Sequence, residues 1–160
     1  MAERLREVLG ADLVEIRDLK KRRGLFGFLR GARDAHLGLK TELATSCFDL
    51  SKYDLIIFGT PVWAQNPTPA LTTFLDTCNL IGKKVIIFVT SRGVGYRRAI
   101  DILKGTVETR GGRVVGVGSV KTWLKGKKHL SRAGVELAKL WQTEAKVGTN
   151  NIVTNRSSAL

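Results

Sequence analysis

Apolar residues along this chain follow two patterns, and the first of them predicts buried strands. Near-continuous apolar runs, bounded by polar or turn residues, occupy residues 53–59, 84–90 and, more weakly, 114–120. Runs of this kind are typical of strands that are covered on both faces, as in a parallel sheet. A further short strand is predicted at Asp12–Ile16.

The second pattern is helical spacing, which predicts four helices. Apolar residues three and four positions apart share one face over residues 2–9, 97–110 and 129–145. Another helix is predicted over residues 69–78, with Thr68 as its cap and a proline at its first position. The order is helix, strand, long connection and then strand–helix three times, which predicts a doubly wound parallel α/β sheet. Ligands of such sheets bind beyond the carboxyl ends of the strands.

One domain is predicted over residues 1–147, with a basic excursion at residues 17–48. The excursion is punctuated by glycines and is too long for a simple connection, so we expect a functional or partly mobile segment. Residues 148–160 are polar and are expected to form a frayed tail, apart from a short run of β-forming residues at 152–154.

The net charge of +13 is unusual for a chain of 160 residues. Basic residues cluster in residues 17–40 and 121–132, and such clusters attract nucleic acid, an anionic membrane or an acidic protein. A solvated surface is slightly favoured instead, because no aromatic or glycine pattern of a nucleic-acid module accompanies the charge. No apolar run is long enough to span a bilayer. The two cysteines have no metal-ligand spacing, so a reducing cytoplasm is the expected compartment.

Two loops stand out at the predicted carboxyl edge, residues 60–67 and 91–98. The first contains prolines and Trp63, and the second contains two glycines and Tyr96. Two aromatic side chains on neighbouring loops could clamp a flat ring. Equally, Trp63 could pack on the helix that follows and Tyr96 could simply begin the next helix. The spacing of these residues does not favour either interpretation.

These loops resemble those of the flavodoxin-like family. The run DLIIFGTPVWA at 54–64, with NPTPA at 66–70, closely resembles the third strand and first flavin loop of that family. Residues 83–96 resemble its fourth strand and second flavin loop. The resemblance extends from about residue 2 to about residue 145.

The resemblance implies that FMN binds between the two loops and that the protein transfers electrons, as a carrier or a reductase. Backbone groups of residues 60–64 would contact the ring edge, and Trp63 would flank it. Residues 91–96 would contact the pyrimidine side, with Tyr96 near the ring. No catalytic residue and no metal site is implied. The expected cofactor-binding residues are Thr60, Pro61, Val62, Trp63, Ala64, Asn66, Ser91, Arg92, Gly93, Gly95 and Tyr96.

The sequence differs from the family in lacking its first strand and the Ser/Thr/Gly-rich phosphate loop that follows. In the family's sheet that strand lies between the strands that match residues 12–16 and 53–59. We therefore expect a fragment or an upstream start. Otherwise we expect a homo-oligomer with exchanged elements or direct pairing of those two strands. The run 152–154 is a less favoured filler. Without the phosphate loop, FMN should bind weakly and should hardly be distinguished from riboflavin.

The basic charge is a second difference, because electron carriers of the family are usually acidic. It favours an acidic redox partner, and positive charge at Arg92 should favour reduced, anionic flavin. It also supports an alternative function, in which a non-catalytic flavodoxin-fold module binds nucleic acid or an anionic membrane through its basic surface.

Overall fold

The computed structural model describes residues 2–20, 24–44, 48–93, 95–122, 139, 141 and 152–157. They form one parallel sheet of five strands in the order β1-β5-β2-β3-β4. The elements, in chain order, are α1 (Ala2–Leu9), β1 (Asp12–Ile16), α2 (Gly24–His36), β2 (Leu55–Pro61), α3 (Pro69–Thr77), β3 (Lys84–Ser91), α4 (Tyr96–Thr109), β4 (Arg113–Lys121) and β5 (Ile152–Ser157).

The predicted strands are present, with one displaced. β2 begins and ends two residues later than the apolar run 53–59 predicted. The backbone N–H of Tyr53 donates to the carbonyl of Leu50 at 3.1 Å, so Tyr53 belongs to the turn before the strand. The predicted helix 129–145 lies outside the described residues except for Lys139 and Trp141, which are helical.

The sheet is covered on both faces, which confirms the doubly wound α/β fold. Alternate residues of β2 and β3 point to opposite sides, as the strand period requires. On one side, Ile56, Phe58 and Val85 pack with α3 and α4. On the other side, Leu55 and Ile57 belong to a second cluster, whose further members are Ala11, Ile86, Phe88, Val120 and Trp141. None of the helices within the described ranges is long and apolar enough to cross a membrane.

The tail at 148–160 was expected to be frayed apart from the run 152–154, but residues 152–157 all form the central strand β5. β5 runs parallel to β1 on one side and to β2 on the other, with Val153 opposite both Asp12 and Ile56. Direct pairing of residues 12–16 with residues 53–59 is therefore also wrong. Two facing strand edges leave rows of backbone N–H and C=O groups unpaired, and β5 pairs with both edges.

β5 thus stands where the flavodoxin-like family has its first strand. The run 152–154, which the sequence analysis considered the less favoured way to complete the sheet, is part of this strand. The expected gap between β1 and β2 is therefore closed by the chain itself. Unpaired edges in that gap were the reason to expect a homo-oligomer, and that reason no longer holds. Oligomeric state stays a prediction.

The basic excursion contains α2, its two ends are joined to each other, and the second end is bonded to α3. Asp18 forms an antiparallel bridge with Leu43, and its carboxylate accepts a hydrogen bond from the Thr41 hydroxyl at 2.6 Å. The backbone N–H of Thr41 donates to the Thr73 hydroxyl on α3 at 3.0 Å. These bonds fasten the described part of the excursion to the α3 side of the sheet.

Candidate functional site

The carboxyl ends of β2 and β3 bring the two loops of the sequence analysis together. The strands are parallel neighbours, with Pro61 opposite Thr90. Just beyond this pair, the backbone N–H of Val62 donates to the carbonyl of Thr90 at 2.8 Å. Residues 62–68 therefore leave the sheet beside residues 92, 93 and 95, at the edge where open α/β sheets bind ligands.

The tip of the first loop is a tight turn built without glycine. The backbone N–H groups of Trp63 and Asn66 each donate to the other residue's carbonyl at 2.9 Å. Ala64 and Gln65 have φ angles of 46° and 67°, the left-handed pair of a type I′ turn. The Asn66 amide also donates to the carbonyl of Ala64 at 2.6 Å. Strained non-glycine backbone of this kind clusters at ligand-binding loops, so the turn is a candidate contact surface.

Two buried threonine hydroxyls close the base of this loop. The Oγ1 atoms of Thr60 and Thr68 lie 3.1 Å apart, and the Thr60 hydroxyl also lies 3.1 Å from the carbonyl of Pro61. Thr68 directly precedes α3 as predicted, but its side chain makes no capping bond to the helix. The hydroxyl that was expected to cap α3 instead lies against Thr60. The side chain of Thr60 is thereby engaged inside the loop, and its residue pairs with Val89 in the β2–β3 ladder.

Ser91, the last residue of β3, has an unusual hydroxyl. Its carbonyl accepts hydrogen bonds from the backbone N–H of Thr122 at 2.7 Å and from the Thr122 hydroxyl at 3.1 Å. The residue is only 4% exposed. Its Oγ atom is buried and has no hydrogen-bond partner among the residues that the structure describes. An unpaired buried hydroxyl costs about 1–3 kcal/mol, so this atom is a candidate to bond a ligand.

The two loops touch each other at Gly95, through a residue that the sequence analysis missed. Gly95 has a φ of 81°, and a Cβ atom placed there would lie 2.4 Å from Cγ of Gln65. Only glycine allows this approach in this backbone conformation. A polar residue at the tip of a loop between prolines gives no sequence signal for such a contact, so Gln65 could not be found from its pattern.

The two aromatic residues differ in their surroundings. Tyr96 is the first residue of α4 and packs against the core on the α3–α4 side. A hydrogen bond from the Arg97 side chain to Tyr96 raises the pKa of the Arg97 guanidinium. Tyr96 therefore matches the packing interpretation, in which it begins the next helix. Trp63 is partly buried beside the turn, and Arg92 is exposed.

The structure brings all eleven expected site residues to one edge of the sheet, on two loops that contact each other. The first loop contributes residues 60–64 and 66, and the second contributes residues 91–93, 95 and 96. The flavin-binding role of each residue stays a prediction.

β5 adds residues near this edge that the sequence analysis did not include. Thr154 lies opposite Ile57 in β2, and Ser157 lies opposite Ile16 at the end of β1. Asn155 and Arg156 therefore lie further along β5, towards the carboxyl end of the sheet, than the Thr154–Ile57 pair. They were missed because the position of β5 depends on pairing with two distant strands.

These features define a flavodoxin-like α/β protein with a candidate ligand site at the β2–β3 edge. The family comparison agrees with this class. Residues 33–126 match the sequence pattern of the flavodoxin family, which is more than half of the chain. The protein belongs to the flavodoxin family. No curated protein sequence matches it.

Solved structures of flavoproteins have the same fold. A protein of Bacteroides uniformis, provisionally named a flavoprotein, is 20% identical with a TM-score of 0.69, over 88% of this chain and 86% of that one. A flavoprotein from Lactobacillus acidophilus in complex with FMN is 23% identical with a TM-score of 0.59, over 74% of this chain and 84% of that one. A third, provisionally named flavoprotein, from Bacteroides eggerthii, is 19% identical with a TM-score of 0.62, over 86% and 87%. Identities this low support the fold alone.

Proposed function

We propose that this protein binds FMN at the carboxyl edge of β2 and β3 and serves in electron transfer. Membership of the flavodoxin family supports the proposal. The similar fold of a flavoprotein solved in complex with FMN also supports it. The single observation that carries it is the buried hydroxyl of Ser91 at the inner end of the second loop, which has no hydrogen-bond partner within the described part of the chain.

The donor set of the site fits a flavin ring. Its pyrimidine part has nitrogen and oxygen atoms that both donate and accept hydrogen bonds, which a serine hydroxyl can match. A ring that ends near Ser91 would offset the cost of its buried hydroxyl. The rigid 63–66 turn offers backbone groups and one face of Trp63 beside it. FMN supplies the electron-transfer chemistry, while the chain orients the ring and excludes water.

Charge near the site bears on the redox state. Arg92 is exposed on the second loop. A positive charge there attracts reduced, anionic flavin more than neutral oxidised flavin, and salt weakens this attraction. An acidic redox partner would complement the basic surface of the chain.

Weakened FMN binding is part of the proposal. Residues 2–20 contain no Ser/Thr/Gly-rich segment of the kind that holds the FMN phosphate in the family. Loss of two charge-assisted bonds to a phosphate would cost about 3–6 kcal/mol, or roughly two to four powers of ten in affinity. The ring-side contacts do not depend on the phosphate, so riboflavin should bind almost as well as FMN.

Replacement of Ser91 by alanine tests the proposed site. Ser91→Ala should lower FMN affinity by about two- to tenfold, the value of one neutral hydrogen bond. It should leave the stability of the flavin-free protein unchanged or raised, because an unpaired buried hydroxyl is removed. Affinity is measured by quenching of flavin fluorescence, and stability by urea unfolding.

Ser119→Ala is the matched control, because Ser119 is an exposed serine on the neighbouring strand β4. It should change neither quantity. Equal FMN affinity of wild type and Ser91→Ala would refute the assignment of this hydroxyl. Absence of flavin binding by the wild type would instead favour the alternative, a non-catalytic module with an anionic partner.

A further inference from the structure

The outward side of α2 exposes large apolar residues to water. Phe26 is 87% exposed and Leu29 is 54% exposed. The inward side of the same helix contains Asp34 and Ala35, which are buried. Apolar residues therefore lie on the side of α2 that faces solvent, which soluble surfaces rarely tolerate in a group without a binding role.

Basic residues share this side of the helix. Arg30 and Arg33 follow Phe26 by four and seven positions, and Arg33 follows Leu29 by four, so all four residues lie on one face. The backbone N–H of Leu37 donates to the carbonyl of Arg33 at 2.9 Å, which continues the face by one turn. We call these five residues, Phe26, Leu29, Arg30, Arg33 and Leu37, the α2 face.

The surrounding segment is strongly positive. Residues 17–40 contain eight lysines and arginines against two aspartates. One aspartate, Asp34, is buried and lies 3.5 Å from the Arg33 guanidinium, which itself stays largely exposed. Arg30 is exposed as well. The α2 face thus combines exposed apolar groups with a field that attracts anions.

An anionic bilayer is the partner that satisfies both properties. A helix that lies in a membrane interface buries Phe and Leu among acyl chains while Arg and Lys contact lipid phosphates and carboxylates. Nucleic acid would satisfy the charges but would leave Phe26 and Leu29 without an apolar partner. A symmetric dimer through this face would place the same basic segment against itself.

We propose that the α2 face docks the protein onto the surface of an anionic membrane. The proposal goes beyond flavin binding and does not depend on it. Phe26 and Leu29 insert into the interface, and Arg30 and Arg33 contact anionic headgroups. The ligand site at the β2–β3 edge is formed by other residues, so docking leaves those loops unaltered.

Flotation with vesicles tests the proposal on the full chain. We expect binding to vesicles of equal parts phosphatidylcholine and phosphatidylserine, little binding to phosphatidylcholine alone, and weakening as salt is raised. Phe26→Ser/Leu29→Ser should lower the partition coefficient by about tenfold or more, because two apolar side chains lose their burial. Arg30→Gln should lower it by about fivefold.

Ile81→Ser/Val117→Ser is the matched control, because these two apolar residues are also exposed but lie outside the α2 face. This control should bind vesicles like the wild type. Circular dichroism would verify that each variant is folded, so that loss of binding reports the surface alone.

Two results would overturn the proposal. One is absence of binding to anionic vesicles. Binding of duplex DNA by the wild type, or a dimer that Phe26→Ser/Leu29→Ser dissociates, would then identify the other partner. The other is vesicle binding that Phe26→Ser/Leu29→Ser leaves as strong as in the wild type.

Discussion

The two halves of the sheet are built in different ways. β2 and β3, with α3 and α4, come from a continuous stretch of chain, and most residues of the two strands are buried. β1 and β5 lie side by side although they are the first and last strands in the chain order. Local sequence therefore determines the half that holds the candidate site, whereas pairing between distant segments determines the other half.

This difference has a physical cause. The apolar runs of β2 and β3 match burial on both faces, so their place in a parallel sheet follows from their composition. The sequence of β5 is Ile-Val-Thr-Asn-Arg-Ser, which has no such run. Its place depends on satisfying the backbone groups of β1 and β2. We expect the two halves to respond differently to substitution.

The largest effect should come from a proline in β5. Thr154 pairs with Leu13 on one side and Ile57 on the other. Thr154→Pro removes a backbone N–H from a central strand and disrupts its hydrogen bonding to the neighbouring strands. We therefore expect the free energy of unfolding to fall by about 3 kcal/mol or more. The change should detach the β1–β5 half while β2, β3 and β4 keep slow amide exchange. Hydrogen exchange followed by mass spectrometry measures this.

Thr154→Val is the control, because it keeps the backbone N–H and the β-branched shape. It should preserve protection across the whole sheet. If Thr154→Pro leaves the protection of β1 unchanged, β5 does not hold the two halves together.

Gly95→Ala should be the next largest change and should affect the site itself. The new Cβ atom would meet Gln65, and the left-handed backbone adds about 1–2 kcal/mol of strain. The two loops must then separate, so FMN affinity should fall along with stability. Flavin fluorescence quenching and thermal unfolding give the two readouts.

Gly111→Ala is the control, because it introduces a similar backbone strain far from the two loops. Gly111 has a φ of 82°, and a Cβ atom there would lie 2.7 Å from Cγ1 of Ile81. It precedes β4, at the opposite end of the sheet from the loops. It should cost similar stability and leave FMN affinity unchanged. A similar loss of flavin affinity in both variants would mean that the loop contact at Gly95 has no special role.

The smallest effect should come from Tyr53→Phe, at the join between the two halves. The buried Tyr53 hydroxyl donates to the Asp12 carboxylate at 2.6 Å, linking the turn before β2 to the start of β1. The ring would keep its stacking on Phe48, so only the hydroxyl is lost. Because the exposed Asp12 can bond water instead, we expect a loss of about 1–2 kcal/mol in urea unfolding.

The same bond gives a pH dependence of known sign. Burial and the bond to Asp12 raise the pKa of Tyr53 above its ordinary value of 10.0. A raised pKa contributes stability that is complete below pH 10 and is lost as the pH rises through the folded-state value. Wild type should therefore lose stability more steeply above pH 10 than Tyr53→Phe. Parallel alkaline profiles of the two proteins would contradict this.

Much of the fold could be predicted from the sequence, and the failures have specific causes. The apolar runs indicated the strands of the β2–β3 half, and the loop motifs indicated the edge where the candidate residues gather. The sequence analysis named the run 152–154 only as a less favoured filler and missed Gln65, because a strand placement and a loop contact between distant residues have no local signal. It misjudged Thr68, whose hydroxyl has a partner in Thr60 that competes with the helix cap.

Titration of the wild-type protein with FMN and with riboflavin tests the central claim most directly. Flavin at fixed concentration is mixed with increasing protein, and fluorescence quenching gives both dissociation constants. We expect both flavins to bind, with constants within about tenfold of each other, because the ring-side loops supply most of the affinity. If neither flavin binds, the β2–β3 edge is not a flavin site. Tight binding of FMN with a large preference over riboflavin would contradict the expected weak phosphate contact.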